Sequence, residues 1–129
     1  MTPREGLDRG LSELALELPE AQRAKLMQYV ALLQKWNRVY NLTAVREPLE
    51  MVSHHLIDSL AVLPHLPAGP HAALADVGSG AGLPGIPLAL ARPQWRIALV
   101  ESSEKKAAFL RQAALELGLD NIEIGRAHV

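Results

Sequence analysis

Asp76-Val77-Gly78-Ser79-Gly80-Ala81-Gly82-Leu83-Pro84-Gly85 decides how this 129-residue chain is read. The apolar run Ala72 to Val77 enters it, and a helix-forming stretch reaching about Ala91 leaves it. A glycine-rich turn between a strand and a helix is where doubly wound α/β sheets bind nucleotides. Downstream, Ile97 to Val100 reads as a second strand ending in Glu101, and Glu104 to Leu117 as a helix closed by Gly118. Ile122-Glu123-Ile124 reads as a third strand. Strand, helix, strand, helix, strand predicts a parallel sheet with right-handed crossovers.

Upstream the period is helical. Residues 1 to 17 place Leu7, Leu11, Leu14 and Ala15 on one side, and the helix is expected to end near Pro19. From Pro19, in a first turn, Leu26, Tyr29, Val30, Leu33, Trp36 and Tyr40 form one apolar stripe, with Trp36 and Tyr40 expected in the core and base stacking as the alternative. A third helix is expected from about Pro48 to Leu63, with Val52, Leu56, Leu60 and Leu63 inward and His55 and Ser59 on that side. Pro64-His65-Leu66-Pro67-Ala68-Gly69-Pro70 carries three prolines and a glycine and marks the linker. The expected division is therefore a helical extension over residues 1–65 and a sheet domain over 71–129.

Composition narrows the chemistry. Absence of cysteine removes disulfides, thiolate metal sites and cysteine nucleophiles, and fits a reducing compartment, the cytoplasm by default. No apolar run approaches the roughly eighteen residues of a membrane helix, the first ten residues are too polar for a secretory signal, and the histidines lack metal-ligand spacing. A net charge of −1 gives no global attraction for nucleic acid, so such binding needs a local patch. Arg23, Lys25, Lys35, Arg38 and Arg46, set against Glu20 alone, offer one, with a solvated helix face as the alternative.

Gly80, Gly82 and Gly85 also fit the G-x-G-x-x-G spacing of nicotinamide or flavin binding, a weak match by itself. Two details oppose a dinucleotide. Gly78 precedes the apparent fingerprint, which puts the tight first turn two residues late. Pro84 and Pro87 also lack amides at the helix end that a pyrophosphate would use. A ligand without phosphate still needs close backbone approach, which glycine permits. S-adenosylmethionine is such a ligand, and Glu101, some twenty residues beyond the glycines, suits its ribose hydroxyls.

Beyond that run, the chain resembles the ribosomal RNA small subunit methyltransferase G family, also known as glucose-inhibited division protein B. The matching stretches are Trp36-Asn37 with Tyr40-Asn41-Leu42-Thr43, His55-Leu56-Ile57-Asp58-Ser59, Gly78 to Pro87, and Lys105-Lys106 with Phe109-Leu110. The resemblance implies a helical extension on a Rossmann-like methyltransferase domain that methylates N7 of a guanine in 16S rRNA of the small ribosomal subunit. It implies that Gly78, Gly80 and Gly82 cradle the methionine part, Asp76 supports its amino group and Glu101 holds the ribose, with Ser79, Leu83, Pro84 and Ser102 also in the cofactor site. Arg126, Ala127 and His128 fall where the family contacts adenine. His128 stands where an acid is usual, so backbone atoms are expected to make that contact.

No catalytic acid or base is expected, because guanine N7 already carries a lone pair and positioning suffices. Asn41, Thr43, His55 and Asp58 are candidates for substrate-side or pocket support, with a helix-end turn and a hydrogen-bonded core histidine as the plain alternatives. The family continues with further strands beyond Val129, so this form is expected to be a truncated piece, inactive alone. A monomer is expected, without metal. The rival readings are a methyltransferase for another substrate, a nicotinamide oxidoreductase, and an inactive binding fragment.

Overall fold

The computed structural model describes residues 1–66, 69 and 71–126. Helix α1 (Pro3–Glu13) is started by a capping box, in which the Thr2 side chain accepts from the Glu5 amide and the Glu5 side chain accepts from the Thr2 amide. It stops short of the expected position near Pro19. Ala15 turns left-handed and the Leu16 amide bonds to the Leu11 carbonyl, so a local turn ends the helix before the proline is reached.

Helix α2 (Glu20–Tyr40) begins after Pro19, which sits at the cap and not inside the first turn, and ends where Asn41 turns left-handed. Its stripe is buried through Leu26, Tyr29, Val30 and Leu33, each full burial contributing roughly 1.5–3 kcal/mol. The last turn departs from expectation at one ring: Trp36, half-buried, packs against the core, but Tyr40 is 39% exposed. There α2 runs past the core and lies over the start of the helix that follows the second strand.

The expected third helix is a composite. α3 (Pro48–Met51) passes into a π-helical stretch, Val52–Ile57, then α4 (Asp58–Leu60) and a 3-10 turn, Leu63–His65. Val52, Leu56, Leu60 and Leu63 are inward as expected. Gly10 of α1 lets this segment approach, since a Cβ there would collide with Ile57.

Strands β1 (Ala73–Val77), β2 (Arg96–Val100) and β3 (Ile122–Gly125) form a parallel sheet in the order β1-β2-β3. Register pairs Asp76 with Leu99 and Leu99 with Ile124. α5 (Gly85–Ala91) and α6 (Glu104–Leu117) are the crossovers, and Ile97, Leu99, Phe109 and Leu110 are buried between sheet and helices. This is the Rossmann-like arrangement expected. Among the described residues β1 pairs with β2 alone, and Val77 at its end is 74% exposed.

The helical extension packs into the same apolar cluster as the sheet. It also closes two helix ends: Gln22 donates to the Ala91 carbonyl of α5 at 3.3 Å, and Lys25 to the Leu117 carbonyl of α6 at 2.7 Å. Carbonyls in a last helical turn have no backbone partner within their own helix, so these contacts supply missing donors.

That use of Lys25 breaks up the expected basic patch. Arg23 pairs with Asp8 at 2.9 Å and donates to the Leu18 carbonyl, while Arg46 donates to the Asn41 side chain. Lys35 and Arg38 remain exposed farther along α2.

Candidate functional site

Gly78, Gly80 and Gly82 all have positive φ, at 76°, 58° and 92°. This alternation of left-handed residues folds the chain into a bare elbow at the C-terminal end of β1. A Cβ on Gly78 would meet nothing within 4 Å, and one on Gly80 only the Gly78 carbonyl oxygen at 3.9 Å. The space above Gly78 and Gly80 is open, whereas a Cβ on the buried Gly82 would lie 2.5 Å from Ile86, so that glycine admits the packing of α5.

Gly85 is glycine for another reason. Its added Cβ would collide with Leu99 and lie 2.9 Å from Asp76 Oδ2, so it permits α5 to sit against the sheet. Its amide donates to Asp76 Oδ2 at 3.0 Å. Burial holds the Asp76 carboxyl above its ordinary value, against the opposing Gly85 hydrogen bond. The buried Ser79 hydroxyl donates to the Asp76 carbonyl at 2.8 Å.

Glu101 lies at the end of β2 and is only 6% exposed. Its Oε1 accepts from the Gly80 amide at 2.7 Å and its Oε2 from the Ser103 amide at 2.8 Å. Burial pushes this carboxyl up, but the Ser103 and Gly80 amides, with Lys106 and Ser102, outweigh it and hold Glu101 below its ordinary value. The acid is thus ionised, fixed against the elbow, and still has lone pairs for further donors.

The first turn of α5 has no amide to spare. Pro84 and Pro87 have none, Gly85 donates to Asp76, and Ile86 donates to the Gly82 carbonyl at 2.7 Å. The Leu83–Pro84 bond is cis, and both residues are half-buried beside the turn. A hollow of about 480 Å³ lined by Ala73, Arg96 and Asp120 lies at the opposite, N-terminal end of the strands.

Ser102 is exposed, and its carbonyl accepts from Arg126 at 3.4 Å; Arg126 also pairs with Glu104. Ala127 and His128 lie outside the described residues. On the helical side, Thr43 Oγ1 and His55 Nε2 are 2.8 Å apart, and the Thr43 amide donates to the buried Asn37 side chain at 2.9 Å. Burial holds the half-buried His55 below its ordinary value, so neutral imidazole is favoured. Asp58 is exposed, Ser59 is buried, and Asn41 Oδ1 is taken by Arg46. These residues do not converge as a nucleophile set.

In the sequence Tyr29 reads only as part of the apolar stripe. Fully buried, it donates its hydroxyl to the Ala81 carbonyl at 2.6 Å, tying α2 to the elbow. Among the described residues no group of three or more acidic or histidine side chains could hold a metal, and no helix is long and apolar enough to cross a membrane.

An open glycine elbow facing a buried acid on the neighbouring parallel strand defines a class, the Rossmann-like nucleotide-binding folds. Residues 22–129 match the family model for rRNA small subunit methyltransferase G. The chain is 60% identical over 124 residues to a protein of that name from Nitrosospira multiformis, covering 96% of this chain and 56% of the relative. It is 55% identical over 118 residues to one from Chromobacterium violaceum, covering 92% and 56%. With one from Azoarcus sp. it shares 52% over 130 residues, covering 100% and 60%. The chain belongs to the rRNA small subunit methyltransferase G family, and spans little more than half the length of these relatives.

Proposed function

We propose that the elbow and Glu101 form the S-adenosylmethionine site of an enzyme that methylates N7 of a guanine in 16S rRNA of the small ribosomal subunit, in the cytoplasm. The Gly80 amide to Glu101 hydrogen bond carries the reading, because it fixes an ionised acid beside bare backbone. The engaged first turn of α5 favours a ligand without a pyrophosphate over a nicotinamide dinucleotide. The relatives' name supports ribosomal RNA as the substrate.

When bound, S-adenosylmethionine supplies a methyl group already activated on sulfonium. The chain's part is to hold and orient. Gly78, Ser79, Gly80 and Gly82 with Leu83 and Pro84 admit the methionine portion, Asp76 accepts from its amino group, and Glu101 beside Ser102 accepts from ribose. Arg126, Ala127 and His128 are proposed for the adenine side. Asn41, Thr43, His55 and Asp58 support the pocket from the helical extension. Since guanine N7 carries a free lone pair, no residue needs to remove a proton, and the gain comes from proximity and orientation.

Small ribosomal subunits from cells lacking the gene, given labelled S-adenosylmethionine and the full-length protein, are expected to acquire label at a guanine N7. Absence of incorporation removes the RNA reading.

A further inference from the structure

Tyr40 is the outermost of three linked rings. Its ring centroid lies 5.4 Å from that of Trp36, and Trp36 meets the fully buried Phe109 edge-on at 5.6 Å. The exposed ring is therefore braced from the core. A braced ring at the end of a helix differs from a lone surface aromatic, because little freedom is lost when a flat partner settles on it.

One cation stands over the ring, and a second is held at the residue that follows it. Lys105 Nζ stands 5.8 Å from the Tyr40 centroid, and Arg46 is held by Asn41, the next residue after Tyr40. Among the described residues neither cation is in an ion pair, so both are available to a partner. Lys35 and Arg38 do not belong to this surface: at about 100° per residue they leave α2 on the side opposite Tyr40. Lys105 follows Glu101 by one short turn of chain, so the ring stands at the same end of the sheet as the elbow.

We propose that Tyr40, with Lys105 and Arg46, receives an unpaired RNA base and its flanking phosphates. For the nature of the partner this rests on the function proposed above. A base stacks on an aromatic face irrespective of sequence, and neighbouring cations hold its backbone. Lys105 now covers the ring, but an exposed cation–π contact is weaker than base stacking, so a base can displace the ammonium toward a phosphate. An unpaired base is required because RNA within a duplex keeps its faces covered.

The test titrates the 129-residue chain into a labelled, unstructured oligoribonucleotide at low salt and follows anisotropy. Tyr40→Ala is expected to weaken binding about 5- to 150-fold, the range of base–aromatic stacking, and Tyr40→Phe by no more than about twofold. Lys105→Gln is expected to lower the salt slope by about one. Lys35→Gln, on the other side of α2, controls for diffuse charge. Failure of the unaltered chain to bind, unchanged affinity in Tyr40→Ala, or an equal loss in Lys35→Gln overturns the proposal. Circular dichroism checks the fold of each variant. S-adenosylhomocysteine binding, measured in parallel, separates the two readings: binding of it without RNA sinks this inference alone, and binding of RNA without it sinks the cofactor assignment alone.

Discussion

The Tyr29 hydroxyl donates to the Ala81 carbonyl at 2.6 Å, so a helix of the extension helps to shape the glycine elbow 52 positions away. Tyr29→Phe removes the donor and leaves a buried carbonyl unpaired. The expected loss is about 1–3 kcal/mol in urea unfolding, together with weaker ligand binding. Unchanged stability would mean that the carbonyl finds another partner.

Glycines of the loop are expected to differ in their tolerance of alanine. Gly78→Ala meets open space and bears only the cost of a left-handed residue, about 1–2 kcal/mol. Gly85→Ala has an ordinary φ but drives a methyl into Leu99 and Asp76, costing about 1–3 kcal/mol and displacing Asp76. Ligand affinity should therefore fall more in Gly85→Ala than its stability loss accounts for, as read by calorimetry beside thermal melts.

Glu101 gives a pH dependence of defined sign. Its folded-state value lies below the ordinary 4.5, so its contribution is present above that pH and is lost as pH falls through the lower folded value. Asp76 acts oppositely: with a raised value, it costs stability as pH rises above its ordinary 3.8. Glu101→Gln keeps one acceptor for two amides and turns its NH2 toward the other. Its stability should be lower at neutral pH and should decline less than that of the unaltered chain as pH falls below 4.5, as followed by urea unfolding at each pH.

Docking of α2 offers a separate check. Lys25→Met keeps most of the stem but removes the donor to the Leu117 carbonyl, with an expected loss of about 0.3–1 kcal/mol. Hydrogen exchange should rise at the end of α6 first. Equal protection there would show that water replaces the lysine without cost.

Much of the architecture could be read from the chain because its signals are local. Gly78, Gly80 and Gly82 announce left-handed backbone, Gly118 ends α6, and Glu101 follows its strand directly. What escaped depends on distant partners. Tyr29 on an apolar stripe looks like core filling, since nothing nearby identifies Ala81 as its acceptor. Tyr40 continues the stripe's period, but periodicity cannot say where the facing surface ends. Arg23 and Lys25 read as free charge until Asp8 and the Leu117 carbonyl come within reach. The π-helical stretch from Val52 to Ile57 has no residue pattern of its own.

The most direct measurement is calorimetric titration of S-adenosylhomocysteine into the chain and into Glu101→Ala, with NADH titrated alongside. Losing one partly desolvated charge-assisted contact is expected to weaken S-adenosylhomocysteine binding about tenfold or more in the folded variant, with no binding of NADH to either form. Preference for NADH, or equal affinity with and without the Glu101 carboxylate, would contradict the assignment of the elbow.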